Sequence, residues 1–267
     1  MTESLPQELE SALRRTADRR GVFGRSLHYF SEIGSTNDEA ARLAEAGAPE
    51  GTTVSASAQT AGRGRLGRTW FSPAGAGLYV SVIIRDRRAA PLLTLAGGVA
   101  VADGIRAASG LPAEIKWPND IVVEAGLGRR RKLAGILAEA STGAEGLQYV
   151  VLGFGINLLP AMYPAEIAGS ATSLAGELGR PADAGAVLAE CLAALATRVR
   201  DLASGDRRQV IDRWAELSPS ARGSRVQCEA VSGSISGVTA GIAEDGALLV
   251  RTGARVEAVR SGQVRWL

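Results

Sequence analysis

The spacing of apolar and polar positions divides the chain into a long mixed part and a short tail made of strands. Residues 3–20 carry Leu5, Leu9 and Leu13 among charges, which predicts a short amphipathic helix. Leu27–Phe30 reads as a strand. After Ser35-Thr36-Asn37-Asp38, the periodic Ala40, Ala41, Leu43 and Ala44 predict a helix start, with Ser35 or Thr36 as its cap. Strands are predicted at 54–58, 78–84, 113–117, 121–123, 132–140 and 149–158. Pro91 opens a predicted helix that runs to about residue 109, because proline suits a first turn. Residues 126–131 read as a mobile basic hairpin tip, and 160–180 as a Pro/Gly/Ala-rich loop. Helices are predicted at 183–202 and 206–217.

The pattern changes at Ser218-Pro219. Five short strands then alternate with Gly/Ser/Asp turns, at 225–231, Gly233–Ile242, 247–251, Arg255–Val259 and 262–267. That spacing predicts a small barrel. The expected domains are 1–217 and 218–267. Within the long part, Gly135 interrupts one strand, and Gly153 and Gly155 share one face of the next. A glycine inside a strand marks close approach of a backbone or ligand. The small residues predict a sheet floor on which a flat ligand lies.

Composition sets outer limits. The chain has 267 residues, 46% of them hydrophobic, enough for one large domain and a small one. A net charge of +2 argues neither for nor against nucleic acid. No 18-residue apolar run and no signal-like N-terminus stand out along the chain, so the expected location is cytoplasmic, without a membrane span. Cys191 and Cys228 form no ligand spacing, and His28 is the single histidine, so a multi-His metal site is excluded. Of the 30 basic residues, two are lysines, Lys116 and Lys132, and the asparagines are Asn37, Asn119 and Asn157. Codon bias explains such scarcity but not the positions of the survivors. All five fall in segments singled out on other grounds.

The stretch 59–70 reads Gln-Thr-Ala-Gly-Arg-Gly-Arg-Leu-Gly-Arg-Thr-Trp. Glycines allow close backbone approach, arginines supply permanently charged forks for phosphate or carboxylate, and Trp70 adds a flat face. A solvated basic turn would have the same composition, but the downstream Lys116-Trp-Pro-Asn-Asp120 and Lys132 segments weigh against it. The set suits carboxylate activation by a nucleotide. A carboxylate and a triphosphate repel each other, fixed cations must hold both, and the mixed anhydride must be kept from water.

The ordered series Ser-Thr-Asn, Gln-Thr-Ala-Gly-Arg-Gly-Arg-x-Gly-Arg-x-Trp, Lys-Trp-Pro-Asn-Asp, Lys-Leu-Ala-Gly-Ile-Leu and Gly-x-Gly-Ile-Asn resembles the biotin protein ligases across about residues 30–160. The resemblance implies an α+β fold. A mixed sheet flanked by helices, class II synthetase-like, would carry a small C-terminal SH3-like barrel. It implies ATP and Mg²⁺ as cofactors. Biotin would be activated as biotinyl-5′-AMP and passed to a lysine of a biotin carboxyl carrier domain, such as that of acetyl-CoA carboxylase. Residue by residue, it implies biotin contacts from Ser35, Thr36, Asn37, Gln59, Gly62, Arg63, Arg65, Lys132, Gly135 and Ile136. Nucleotide contacts would come from Arg63, Arg65, Arg68, Trp70, Lys116, Asn119, Asp120 and Asn157. Lys132 and Arg65 would be catalytic, and Asp120 would meet the metal. The loop would order over the ligand. With 34 residues before Ser35, against about 50 for a winged helix, a monofunctional ligase without operator binding is expected, as monomer or homodimer. The rivals are a lipoate–protein ligase and a non-catalytic biotin sensor or repressor.

Overall fold

A computed structural model describes residues 3–126, 129–230 and 233–267. The centre of the predicted hairpin tip, 127–128, and residue 231 of the first C-terminal strand lie outside the described residues. The chain opens with α1 (Gln7–Arg15) and α2 (Ala17–Arg20), then β1 (Leu27–Phe30), α3 (Thr36–Glu45), β2 (Thr53–Ala56) and β3 (Gly77–Ile84). Next come α4 (Leu93–Ser109), β4 (Glu114–Lys116), β5 (Asp120–Glu124), β6 (Arg130–Gly143) and β7 (Gly146–Asn157). The predicted loop 160–180 holds two short helices, α5 (Ala165–Ala168) and α6 (Leu174–Leu178). Ser173 caps α6 by accepting from Gly176 N–H, a start signal hidden in a Pro/Gly-rich stretch. Helices α7 (Ala184–Ser204) and α8 (Arg207–Leu217) follow. Asp183 caps α7, and Gly205 ends it in the left-handed region, φ 89°.

The main sheet runs β1-β2-β3-β7-β6-β5-β4. It is mixed: β1 and β2 are parallel, and the other pairs are antiparallel. Period-two alternation sorts its residues. Leu78, Val80, Val82, Leu152, Phe154 and Ile156 join the core built with α1, α4, α7 and α8. On the opposite face, Ile83, Tyr149 and Val151 pack against Ala40 and Ala44 of α3. That face carries the site, because α3 covers only one end of it. Helices α4 and α7 approach so closely at Gly104 that a Cβ there would lie 2.6 Å from the Cys191 backbone. Among the described residues, 90–109 is the one helical segment long and apolar enough to cross a membrane, contrary to the expectation of no such run, and 67% of its most apolar window is buried in the protein. It is the core helix behind the sheet.

The last five strands, β8 (Arg222–Ala230), β9 (Gly233–Ile242), β10 (Leu248–Thr252), β11 (Arg255–Val259) and β12 (Gln263–Trp266), form an antiparallel sheet in the order β11-β10-β9-β8-β12, the small barrel-like unit. It shares the main core: Val226, Cys228, Leu248, Val250 and Val259 belong to the same buried cluster as α4 and α8. Trp117 Nε1 donates to Gly246 O at 3.0 Å, tying the barrel to the strand turn at Pro118.

Candidate active site

A cleft of about 1440 Å³ opens on the α3 face of the main sheet and is bounded by the Gly/Arg loop, the β4–β5 turn, β6, β7, the 163–171 segment and the barrel's β8 and β12. Its floor is set by register. Gly135 of β6 stands opposite Gly155 of β7, and Leu137 opposite Gly153. The glycines do make room, but for the protein's own side chains. A Cβ at Gly135 would lie 2.9 Å from Trp70 Cζ3, and one at Gly155 would collide with Trp70 Nε1. One at Gly153 would collide with Asn37 Oδ1. The flat object on the floor is thus the Trp70 indole, which forms a wall of the cleft, and the open floor expected from sequence is corrected accordingly.

Strand alternation alone sends Lys132 and Gly135 to opposite faces. A bulge changes this: the partner of Ile121 is Ala134, and the partner of Val122 is Lys132, so Leu133 is skipped. Leu133 turns into the core at 0% exposure, and the Lys132 ammonium lies beside the cleft face of Gly135, 5.1 Å from the Trp70 ring centroid. Lys132 Nζ is paired with Asp120 Oδ1 at 2.6 Å. Lys116 stands opposite Asp120 across the β4–β5 hairpin. Arg65 Nη1 donates to Asn119 Oδ1 at 3.2 Å. Burial pushes the Lys116 ammonium and the Arg65 guanidinium below their ordinary pKa values, with Asp120 partly opposing it in both. This end of the cleft therefore concentrates partly desolvated positive charge around one carboxylate. Such a cluster is completed by an anion.

The other end is neutral and hydrogen-bonded. Thr36 N–H and Oγ1 donate to Gln59 Oε1 at 2.9 and 3.0 Å. Gln59 Nε2 donates to Ser72 Oγ at 3.0 Å. Ser81 Oγ lies 2.5 Å from Asn37 Oδ1 and 2.8 Å from Thr36 Oγ1. Ser35 occupies the N-cap position of α3, yet no side chain caps that helix. Capping by Ser35 or Thr36 is thereby corrected: Thr36 is instead committed to Gln59.

Every sequence-predicted residue except Gly62 lines the cleft, but several play different parts. Gly62 O accepts from Trp70 N–H at 2.9 Å, and a Cβ there would lie 2.5 Å from Trp70 O, so this glycine shapes the loop. Ile136 borders the cleft by its backbone, trading hydrogen bonds with Asn119, while its side chain packs toward Gly97 of α4. Asn157 Nδ2 donates to Thr172 O at 2.8 Å, which holds the 163–171 wall in place. Arg63 pairs with Asp38 at 2.8 Å and Glu139 at 2.7 Å, facing away from the charged end. Arg68 lines the outer rim. Sequence reasoning missed Ser72, Ser81, Asp38 and Glu139, which hold lining residues by hydrogen bonds and ion pairs without lining the cleft themselves, and Arg225, Arg265 and Trp266 of the barrel, which line it. A serine inside the apolar run Leu-Tyr-Val-Ser-Val-Ile-Ile was a readable signal for Ser81.

Residues 29–157 match the model of the biotin/lipoate A/B protein ligase family. The chain is 35% identical over 265 residues to a biotin–[acetyl-CoA-carboxylase] ligase of Mycobacterium tuberculosis, covering 96% of this chain and 94% of that one. It is 33% identical over 264 residues to the bifunctional ligase/repressor BirA of Bacillus subtilis, covering 97% and 79%. Among solved structures, the Aquifex aeolicus biotin protein ligase in complex with biotin and ATP superposes with a TM-score of 0.78 at 28% identity, covering 91% of this chain and 99% of that one.

Proposed function

The chain belongs to the biotin protein ligase family, and from that premise we propose that it activates biotin as biotinyl-5′-AMP and passes the biotinyl group to a lysine of a biotin carboxyl carrier domain. The observation that carries this reading is the division of one cleft into a neutral hydrogen-bonding end and a cationic end, joined along the Trp70 wall. A biotin ring system is uncharged and rich in donors and acceptors, which suits Ser35, Thr36, Asn37 and Gln59. Its valerate tail is apolar and suits the indole. Its carboxylate then meets Lys132 and Arg65, where a triphosphate also belongs.

In the activation step a carboxylate oxygen attacks the α-phosphorus, the bond to the bridging oxygen breaks, and pyrophosphate leaves. Lys132 and Arg65 bring two anions together and hold the charge that grows on the phosphoryl oxygens. Asp120 keeps Lys132 directed into the cleft by their 2.6 Å pair. Lys116, Asn119 and Arg68 are assigned to the phosphates and nucleotide. In the transfer step the carrier lysine's amine attacks the biotinyl carbonyl, and AMP leaves with the bonding pair. Trp70 and the loop exclude water from the anhydride between these steps.

Mg²⁺ fits this site as a companion of the nucleotide. Among the described residues there is no cluster of three or more His, Cys, Asp or Glu side chains, hence no protein cage. Magnesium takes most of its ligands from phosphates and water, and one carboxylate is enough from the protein. Asp120 would be that residue, and the ion would neutralise phosphate charge.

ATP–pyrophosphate exchange with biotin, lipoate or octanoate as the added acid tests the reading. Exchange with biotin alone is expected. Exchange with lipoate instead would move the chain to the lipoate ligases, and exchange with none would leave a sensor.

A further inference from the structure

We propose that Glu139 is a positioning residue that couples the neutral end of the cleft to closure of the Gly/Arg loop. The inference rests on the reading above for its biotin arm, and on geometry alone for its loop arm. Glu139 stands on the cleft face of β6, two and four residues beyond Leu137 and Gly135. Its Oε2 accepts from Asn37 Nδ2 at 2.6 Å and from Arg63 Nη2 at 2.7 Å. One oxygen therefore joins α3, the strand and the loop.

Each contact has a consequence. Asn37 can present its amide either way round. With Nδ2 committed to Glu139, Oδ1 is turned to Ser81 Oγ, 2.5 Å away, and rests where Gly153 leaves space. Glu139 so fixes the polarity that the buried Asn37–Ser81–Thr36 network offers to a ligand. The second contact fixes the loop. Arg63 is the first arginine of the Gly/Arg loop, and its guanidinium is clasped by Glu139 and by Asp38, 2.8 Å away. Both acids sit outside the cationic end, so Arg63 anchors the loop and leaves Arg65 to face the reacting groups. Opening the loop withdraws Arg63 from the same oxygen that holds Asn37. A well-ordered ring slot and a closed loop then favour each other.

Two glutamate variants separate the arms. Glu139→Gln keeps an acceptor for Asn37 but removes the negative charge that pairs with Arg63, and Glu139→Ala removes both. Chymotrypsin is a ligand-free probe of the loop, whose Leu66 is 67% exposed and whose Trp70 is part-buried. Both variants are expected to be cut within 59–70 faster than the parent, on the order of tenfold for loss of a charge-assisted hydrogen bond. The biotin KM in the exchange assay is expected to rise about tenfold in Glu139→Ala and distinctly less in Glu139→Gln. Arg63→Gln approaches the contact from the other side. Its effect on cleavage should not add to that of Glu139→Gln, which a general loss of stability would not reproduce. Parental cleavage rates in both glutamate variants, or fully additive effects with Arg63→Gln, would overturn the loop arm. Equal KM values for the Ala and Gln variants would overturn the Asn37 arm. Absence of exchange in the parent chain would instead count against the ligase reading, since the cleavage assay needs no biotin.

Discussion

The two ends of the cleft are built from opposite physics. At the end formed by α3 and β3, Ser35, Thr36, Asn37 and Ser81 are each less than 6% exposed, and the side chains of Thr36, Asn37 and Ser81 are satisfied by one another, by Gln59 and by Glu139. At the other end, Arg65 and Lys116 are partly desolvated, and Asp120 is the carboxylate that answers Lys132. A satisfied neutral network discriminates by shape and hydrogen-bond polarity, because a wrong ligand leaves a buried group unpaired. An under-compensated cationic cluster is less selective in shape, and its strength lies in holding charge as that charge develops. The comparison predicts that substitutions at the cationic end act on turnover and on nucleotide binding, while those at the neutral end act on the biotin KM.

The largest effect is expected from Lys132→Ala. Removing a preorganised charge at the reacting centre should lower the exchange rate by about 10²- to 10³-fold, with the melting temperature preserved because Leu133, not Lys132, is the core residue of that bulge. Normal exchange by this variant would erase the assigned division between the ends.

Gly155→Ala comes next, because it strikes the wall that joins them. The new methyl would collide with the Trp70 indole and push it off the floor. Biotin affinity should fall roughly ten- to a hundredfold, the loss of well-packed contact and of near-attack geometry together. The emission of Trp70 should shift to the red, and Trp70→Ala in the same chain should make the added methyl nearly silent. An unshifted emission would mean that the indole has another resting place.

Ser81→Ala sharpens the neutral end. It strips a buried hydroxyl from Asn37 Oδ1 and Thr36 Oγ1. The unsatisfied group costs about 1–3 kcal/mol, read as a rise of about tenfold or more in biotin KM with the ATP KM unmoved. A matching rise in both constants would mean that the ends are not separable.

How far these parts were legible in the sequence differs in the same way. The cationic end was readable because its residues are chemically rare in this chain: Lys116, Lys132 and Asn119 stand out by identity. The order of the strands and long helices was readable too, since residue periodicity is local, whereas the two short helices in 160–180 and the uncapped start of α3 were not. What stayed hidden depends on register. The bulge that turns Lys132 to the cleft, the pairing of Gly135 with Gly155 beneath Trp70, and the clasp of Arg63 by Asp38 and Glu139 all require two distant segments to be aligned. Common residue types such as Ser72 and Glu139 give no signal until that alignment is known. The barrel's contribution was hidden for the same reason, because Arg225 and Arg265 reach the cleft only after the tail folds back on the main core.

The smallest effect concerns Lys116 and is the most discriminating in sign. Burial holds its pKa below the ordinary lysine value of about 10.4. As pH rises through that lowered value the ammonium loses its proton, so nucleotide affinity should weaken along an alkaline limb that begins below the free-lysine range. Stability should move the other way. Between the lowered native pKa and the unfolded value the unfolded chain binds more protons, so this group's contribution to stability rises with pH. Arginine keeps its charge throughout, and Lys116→Arg should abolish the alkaline limb of ATP affinity. The ATP KM followed from neutral to strongly alkaline pH, for both chains, checks the claim. An identical limb in the two would assign that titration to another group and remove Lys116 from the cationic end.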